Sequence, residues 1–202
     1  MPDLPRLLIW GSSGHASVVA DVVLNEARFE VAGLIDDMDP RARQTPSGPV
    51  LGGRDVLPRL LREGVAQILV GIGDNSVRRR LAEHAQKIGF GLARAVHPRA
   101  TVAAGVSVGP GTVIMAGAVI NPGARIGSNV IVNTSASIDH HCLIGDGSFV
   151  GIGTVVRERI RIGSECTIGA GSVVVSDLPD GVLALGCPAR PVRASSRSTA
   201  ER

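Results

Sequence analysis

Val132-Asn133-Thr134-Ser135-Ala136-Ser137-Ile138-Asp139-His140-His141-Cys142-Leu143-Ile144-Gly145-Asp146-Gly147-Ser148-Phe149-Val150 repeats one pattern every six residues. An aliphatic residue stands at 132, 138, 144 and 150, and a small one (Ala136, Cys142, Ser148) follows four places after each of the first three. The register extends back through Ile126, Ile120, Ile114, Val108 and Val102 to Val96, and forward through Val156, Ile162 and Ile168 to Val174. An amphipathic helix needs apolar positions near a period of 3.6 and a half-exposed strand near a period of 2; a period of six suits neither. It suits a solenoid in which each hexad is a short strand plus a turn and three hexads close one triangular coil. A β-branched residue then stacks on its counterpart eighteen positions later, and the small residue leaves it room. Glycine at the turns accepts backbone angles that a Cβ opposes. A sandwich of short strands would not hold register so strictly.

Composition agrees with such a core. In 202 residues there are 26 glycines, aromatic residues make up only 2%, and tyrosine is absent, so Val, Ile, Leu and Ala must fill the interior. A net charge of +3 argues weakly for an anionic ligand and against nucleic acid as a partner. The three cysteines lack CxxC spacing, and Cys142 and Cys166 occupy the small inward position of their hexads. No apolar run reaches the length of a membrane span, and no signal peptide is evident, which makes a reducing cytoplasm the expected location.

Ahead of the hexads the pattern changes. Leu7-Leu8-Ile9-Trp10 is an apolar run stopped by Gly11-Ser12-Ser13-Gly14-His15, after which Val18, Val19, Val22, Val23 and Ala27 recur at helical spacing. This strand, glycine turn and helix opens an α/β unit whose turn presents free N–H groups to a phosphate. A tight turn without ligand would look the same, since the glycines do not match GxGxxG. A second strand, 31–35, ends in Asp36-Asp37, acids that could bond a ribose or base or merely cap a loop. Residues 41–49 read as a mobile surface loop, and Asp55 as the N-cap of the helix carrying Leu57, Leu60 and Leu61. Ile68-Leu69-Val70 runs into Gly71-Ile72-Gly73-Asp74-Asn75 and a helix from Ser76. Arg78, Arg79 and Arg80 in that helix read as a solvated face, or as one arginine reaching a phosphate. The βαβ alternation predicts a small parallel, Rossmann-like sheet. The expected domains are residues 1–94, residues 95–193 with a C-terminal cap, and a disordered tail at 194–202.

Because the solenoid interior is aliphatic, chemistry must sit on its edges. Asp139-His140-His141 offers two imidazoles beside an acid, suited to general-base work near neutral pH; a pair of surface or interface histidines is the plainer reading. Adjacent histidines diverge, and His15, His84 and His97 are distant in sequence, so no metal is expected. No serine sits in a nucleophile elbow, and an inward Cys142 would be inert.

Taken together, Gly11-Ser12-Ser13-Gly14-His15, Asp36-Asp37, Gly73-Asp74-Asn75 with Arg78, the hexads, Asn133-Thr134 through His140, and Gly186-Cys187-Pro188-Ala189-Arg190 resemble the bacterial sugar O-/N-acyltransferase family, over about residues 6 to 193. The resemblance implies a left-handed parallel β-helix after the Rossmann-like domain, a homotrimer, and acetyl-CoA lying at the junction of two subunits. It implies contacts to a nucleotide-activated amino sugar from Ser13, Gly14, His15, Asp36, Asp37, Gly73, Asn75 and Arg78. His140 aligns with the catalytic base, with Asp139, His141 and Glu158 around it. Phe149, Gly153, Ala170, Gly186, Pro188 and Arg190 align with the acetyl-CoA contacts. Three positions depart from the family's pattern. His141 stands where an acid often follows the base, Phe149 replaces a histidine, and Glu158 replaces a glycine. Glu158 lies one coil from His140 and would either supply the missing acid or crowd the acetyl group. The function so implied is acetyl-CoA-dependent N-acetylation of a nucleotide-linked amino sugar. The rivals are O-acetylation of a free sugar such as a sialic acid, and a non-catalytic trimeric binding protein.

Overall fold

The computed structural model describes residues 4–192; the tail expected to be disordered lies outside them. The N-terminal part begins with strand β1 (Arg6–Trp10), helix α1 (Gly14–Glu26) and strand β2 (Glu30–Ile35). A hairpin of β3 (Arg43–Thr45) and β4 (Gly48–Val50), helix α2 (Leu57–Arg62), β5 (Gln67–Val70), α3 (Asn75–Ile88) and β6 (Gly91–Leu92) follow. The sheet order is β3-β4-β2-β1-β5-β6, parallel except for the β3–β4 hairpin. Leu7, Leu8, Ile9 and Trp10 are all buried because this central strand is covered on both faces.

Three local expectations are corrected. Residues 43–50 form a hairpin rather than a mobile loop: β4 pairs with β2 at Leu34 and Val50, and Thr45 Oγ1 closes the turn on the Gly48 carbonyl at 2.7 Å. Asp55 caps nothing, since it lies inside a 3₁₀ turn at Arg54–Val56 and the α2 N-cap is Val56, with Pro58 in the first turn. Val18 is 42% exposed and Ala27 is the left-handed C-cap of α1, so the buried face of that helix runs through Ala16, Val19, Ala20, Val22 and Val23.

From Ala95 to Val174 the chain is a parallel β-helix of two-residue strands, the second residue of each being the aliphatic hexad position. Three faces result. The first carries Ala95–Val96, Val113–Ile114, Ile131–Val132, Phe149–Val150 and Thr167–Ile168. The second carries Thr101–Val102, Val119–Ile120, Ser137–Ile138, Val155–Val156 and Val173–Val174. The third carries Ser107–Val108, Arg125–Ile126, Leu143–Ile144 and Arg161–Ile162. Every pairing joins residues eighteen apart, as the period requires. The interior is one apolar cluster that includes Cys142 and Cys166, whose thiols burial pushes up. A hairpin of Leu183–Gly186 and Ala189–Val192 extends the first face and closes the end of the prism.

The N-terminal part packs on the first face. Ala16, Val19 and Val23 of α1 share a cluster with Ala95, Val113, Met115 and Ile131, so α1 is buried between its own sheet and the β-helix.

Candidate active site

Where β1 and β2 end, the chain opens into a cleft of about 490 Å³, lined among others by Trp10, Ser12, Ser13, Asp36, Asp37 and Arg54. That is within the range of small-molecule sites. The cleft lies outside the carboxyl ends of the parallel strands, where open α/β sheets bind ligands. Both acids are held firmly. Desolvation pushes Asp36 up, but hydrogen bonds from Ser12 Oγ and from the backbone N–H of Asp39 and Met38, with Arg43 nearby, leave it below the ordinary carboxylate range. Asp37 is desolvated too, and bonds from Arg54 N (2.8 Å), Arg54 Nη2 (2.7 Å) and Trp10 Nε1 (3.2 Å) bring it down in the same way. The Arg54 guanidinium lies over the Trp10 ring, 5.8 Å from its centroid, and His84 meets that ring edge-on.

Sequence reasoning passed over Trp10, Arg43, Arg54 and His84. Only Trp10 had a legible signal, as the one tryptophan, placed at the end of a central strand just before a glycine turn. Arg43 comes from the misread hairpin and donates to Ser12 Oγ at 2.8 Å, which brings a cation to the N-terminus of α1.

His15, in the first turn of α1, points away from the cleft toward the β-helix. Its ring lies 6.5 Å from that of Phe149, and its buried Nε2 has no hydrogen-bond partner within the chain. Desolvation, and then the charge of Arg78, lower its pKa and hold the imidazole neutral. Phe149 therefore sits on the first face against His15, rather than out on an edge with Gly153 and Ala170.

Arg78 and Asn75 correct the expectation that they reach a ligand. Arg78 is 1% exposed. It donates to the carbonyls of Ile72 (3.1 Å), Gly73 (2.9 Å), Asn129 (2.9 Å) and Gly147 (2.7 Å) and to Asn75 Oδ1 (2.8 Å). Among the described residues no carboxylate bonds it directly, and desolvation lowers its pKa to about 10. Asn75 Nδ2 in turn donates to the carbonyls of Glu165 and Cys166 and to Thr167 Oγ1. Arg79 is ion-paired with Glu165. These side chains fasten α3 to the edge between the third and first faces. Gly73 is held there through its carbonyl.

The expected catalytic cluster occupies the edge between the second and third faces. Asp139 Oδ1 accepts from His140 N (2.7 Å) and Asn121 Nδ2 (2.8 Å), and those bonds hold its carboxylate below the ordinary range. It thus braces the turn rather than an imidazole. Glu158 shares the edge one coil on, as the register requires, but its carboxylate lies 3.8 Å from Arg157 Nε rather than in an ion pair with His140. The neighbour that does meet His140 is His141, Nδ1 to Nδ1 at 2.8 Å. Of the residues expected near acetyl-CoA, Gly153 and Ala170 lie on the edge between the first and second faces, and Gly186, Pro188 and Arg190 in the exposed cap hairpin.

The three groups thus fall in different places on one prism. The cleft belongs to the part that covers the first face, whereas His140 stands on the edge opposite that face. Among the described residues no group of three or more His, Cys, Asp or Glu could hold a metal ion, and no helix is long and apolar enough to cross a membrane.

Residues 6–85 match the family model of the PglD N-terminal domain, and residues 141–176 match the bacterial transferase hexapeptide (six repeats). A curated relative, the UDP-N-acetylbacillosamine N-acetyltransferase of Bacillus subtilis (strain 168), is 32% identical over 120 residues, 55% of this chain and about half (51%) of its own length. Among solved structures, a histidine-to-asparagine variant of perosamine N-acetyltransferase from Caulobacter crescentus, in complex with CoA and GDP-perosamine, is 36% identical with a TM-score of 0.81, covering 93% of this chain and 96% of that one. The acetyltransferase domain of PglB from Neisseria gonorrhoeae FA1090, in complex with acetyl coenzyme A, is 34% identical with a TM-score of 0.78, covering 94% of this chain and 100% of that one. Similar to these proteins along nearly its whole length, and carrying both the PglD-type N-terminal part and the hexapeptide coils, the chain belongs to the bacterial sugar O-/N-acyltransferase family.

Proposed function

We propose that this protein is an acetyl-CoA-dependent N-acetyltransferase of a nucleotide-linked amino sugar, working in the cytoplasm as a homotrimer whose active sites lie between subunits. The observation that carries this reading is the separation of the cleft from His140. A sugar nucleotide held by Trp10, Asp36, Asp37 and Arg54 would extend past Ser13, Gly14 and His15 over the first face. His140 of the same protomer is on the opposite edge of the prism. The base that such a sugar meets would therefore be His140 of the partner subunit.

In the reaction, the neutral amine attacks the thioester carbonyl of acetyl-CoA. The C–N bond forms, His140 takes the proton that the nitrogen sheds, and the C–S bond breaks. That proton then passes to the departing sulfur, giving the N-acetyl sugar and CoA thiol. A neutral amine is required because an ammonium has no lone pair, and an imidazole within hydrogen-bond reach is a suitable acceptor for the proton shed. Gly153, Ala170 and the Gly186–Arg190 turn are the proposed acetyl-CoA contacts.

Thiol release from acetyl-CoA, measured against UDP-, dTDP- and GDP-linked amino sugars and free sialic acids, tests the reading. His140→Ala is expected to lower turnover by roughly 10²-fold or more with the trimer intact, whereas Glu158→Gln leaves it nearly unchanged. Turnover with free sialic acids alone would point to O-acetylation, and the absence of thiol release with every one of these acceptors would sink the enzyme reading.

A further inference from the structure

We propose that His141 is a positioning residue that fixes the tautomer of His140. It would do for the base, as a neutral imidazole, what a carboxylate acceptor would otherwise do. The proposal deepens the acetyl-transfer reading and rests on it.

Two ring nitrogens 2.8 Å apart need one proton between them, and the rings meet edge-on at 88°. Which ring donates depends on the tautomers of the two rings. The Cδ2–Nε2 edge of His141 lies over Gly123 of the preceding coil: a Cβ placed on Gly123 would stand 2.8 Å from Cδ2 and 3.0 Å from Nε2. The second ring nitrogen of His141 is thus turned onto the backbone of the coil beneath, resting where only glycine leaves space. That of His140 remains outside the contact. For His140 Nε2 to hold the lone pair that a base needs, the shared proton must sit on His140 Nδ1 and be donated to His141 Nδ1. His141 then carries its own proton on Nε2. The opposite arrangement would put a proton on His140 Nε2 and leave its one lone pair, on Nδ1, engaged by His141.

During turnover His140 Nε2 takes the amine proton while Nδ1–H stays donated to His141. The imidazolium is thereby stabilised by an acceptor already in place, and it releases the Nε2 proton to the sulfur. Other charges face the pair as well. Asp139 lies on the near side, pinned by Asn121 and the His140 N–H, and Arg157, Glu158 and Arg159 lie on the next coil, where Arg159 N bonds the His140 carbonyl. All four are the same residues in wild type and in the His141 variants. A difference between wild type and His141 variants therefore isolates the imidazole.

His141 has φ 61, a left-handed conformation that asparagine tolerates better than other side chains. His141→Asn offers an amide oxygen as acceptor, and His141→Ala offers none. On acetyl transfer by the intact trimer, His141→Ala is expected to lose roughly tenfold in kcat, less than removal of the base itself. The acid limb of its kcat/KM profile should move down by about half a pH unit or more, because the imidazolium has lost its acceptor. His141→Asn should keep the wild-type limb and most of the rate. Nitrogen-15 NMR of the imidazoles at pH 8 should show His140 protonated at Nδ1 in wild type and a tautomer mixture in His141→Ala. An unmoved limb in His141→Ala, or wild-type His140 protonated at Nε2, overturns the proposal. Wild-type protein that acetylates nothing would overturn the functional reading instead, while the NMR experiment would still decide the pairing.

Discussion

Arg78 donates from Nη2 to the carbonyl of Gly147 at 2.7 Å, joining the helix after β5 to a β-helix turn sixty-nine residues away. The same guanidinium holds the Ile72 and Gly73 carbonyls beside the cleft and the Asn129 carbonyl one coil earlier. A buried cation satisfied only by neutral acceptors is unusual, and its removal would orphan one buried carbonyl and three part-buried ones. Arg78→Met should therefore cost roughly 3 kcal/mol or more in urea unfolding, at about 1–3 kcal/mol per abandoned buried acceptor. Arg78→Lys should recover little of this, since one ammonium cannot span acceptors on both sides of the junction. The KM for the sugar nucleotide should rise in both variants as the Ile72–Gly73 turn loosens. Wild-type melting of Arg78→Met would show that the junction does not depend on this side chain.

The coils were legible because the interior of a narrow prism admits one kind of residue at each inward position, so the sequence must repeat with the structure. Arg78 was harder to place. In the run Arg78-Arg79-Arg80 composition suggests a solvated face, yet Arg78 lies on one helical stripe with the buried Ala82 and Ala85. Small residues at i+4 and i+7 signal close packing, and the arginine on that stripe belongs to the junction. Residues 43–50 were misread because three-residue strands carry almost no periodicity. The relation of His140 to Glu158 was legible as register, but register does not set where a carboxylate turns. The separation of cleft and base across the prism follows from topology that no local motif records.

His15 gives the protein a specific sensitivity to acid. Desolvation and then the Arg78 charge lower its pKa in the fold, while the unfolded chain binds the proton near the ordinary value of about 6.5. The unfolded state thus holds more protons below that pH. The stability from a neutral His15 is complete above about 6.5 and declines as pH falls from there toward the folded value. Asp36, Asp37 and Asp139 have lowered pKa values too, but their contributions are lost only below the carboxylate range. Wild type should therefore lose melting temperature between about pH 6.5 and 5, and His15→Gln should lose less over the same interval. Parallel curves for the two proteins would remove His15 as the cause.

Trp10 is the sole tryptophan and lies at the floor of the cleft, bonded to Asp37 and stacked by Arg54. Nucleoside diphosphate entering the cleft should change tryptophan fluorescence saturably, without acetyl-CoA. Asp37→Ala removes the acceptor of three hydrogen bonds and frees Arg54 and the indole to move. Its affinity should fall roughly tenfold, the equivalent of about 1.4 kcal/mol. A fluorescence change that survives intact in Asp37→Ala would place the nucleotide elsewhere.

The placement of the cleft over one face and His140 on the opposite edge makes a prediction about mixed oligomers. His140→Ala keeps a working cleft and lacks the base; Asp37→Ala paired with Arg54→Ala keeps the base and lacks a working cleft. If each site takes its cleft from one protomer and its base from the next, two inactive variants can complement. After denaturation and co-refolding at equal amounts, each site has one chance in two of an intact cleft and, independently, one in two of an intact base. About a quarter of wild-type activity should return, given random assortment in a closed cyclic oligomer. If cleft and base came from the same protomer, every site would lack one of them and mixing would restore nothing. Separately refolded variants combined afterwards without exchange should stay inactive, which distinguishes sharing of sites from correction of the damage within one chain.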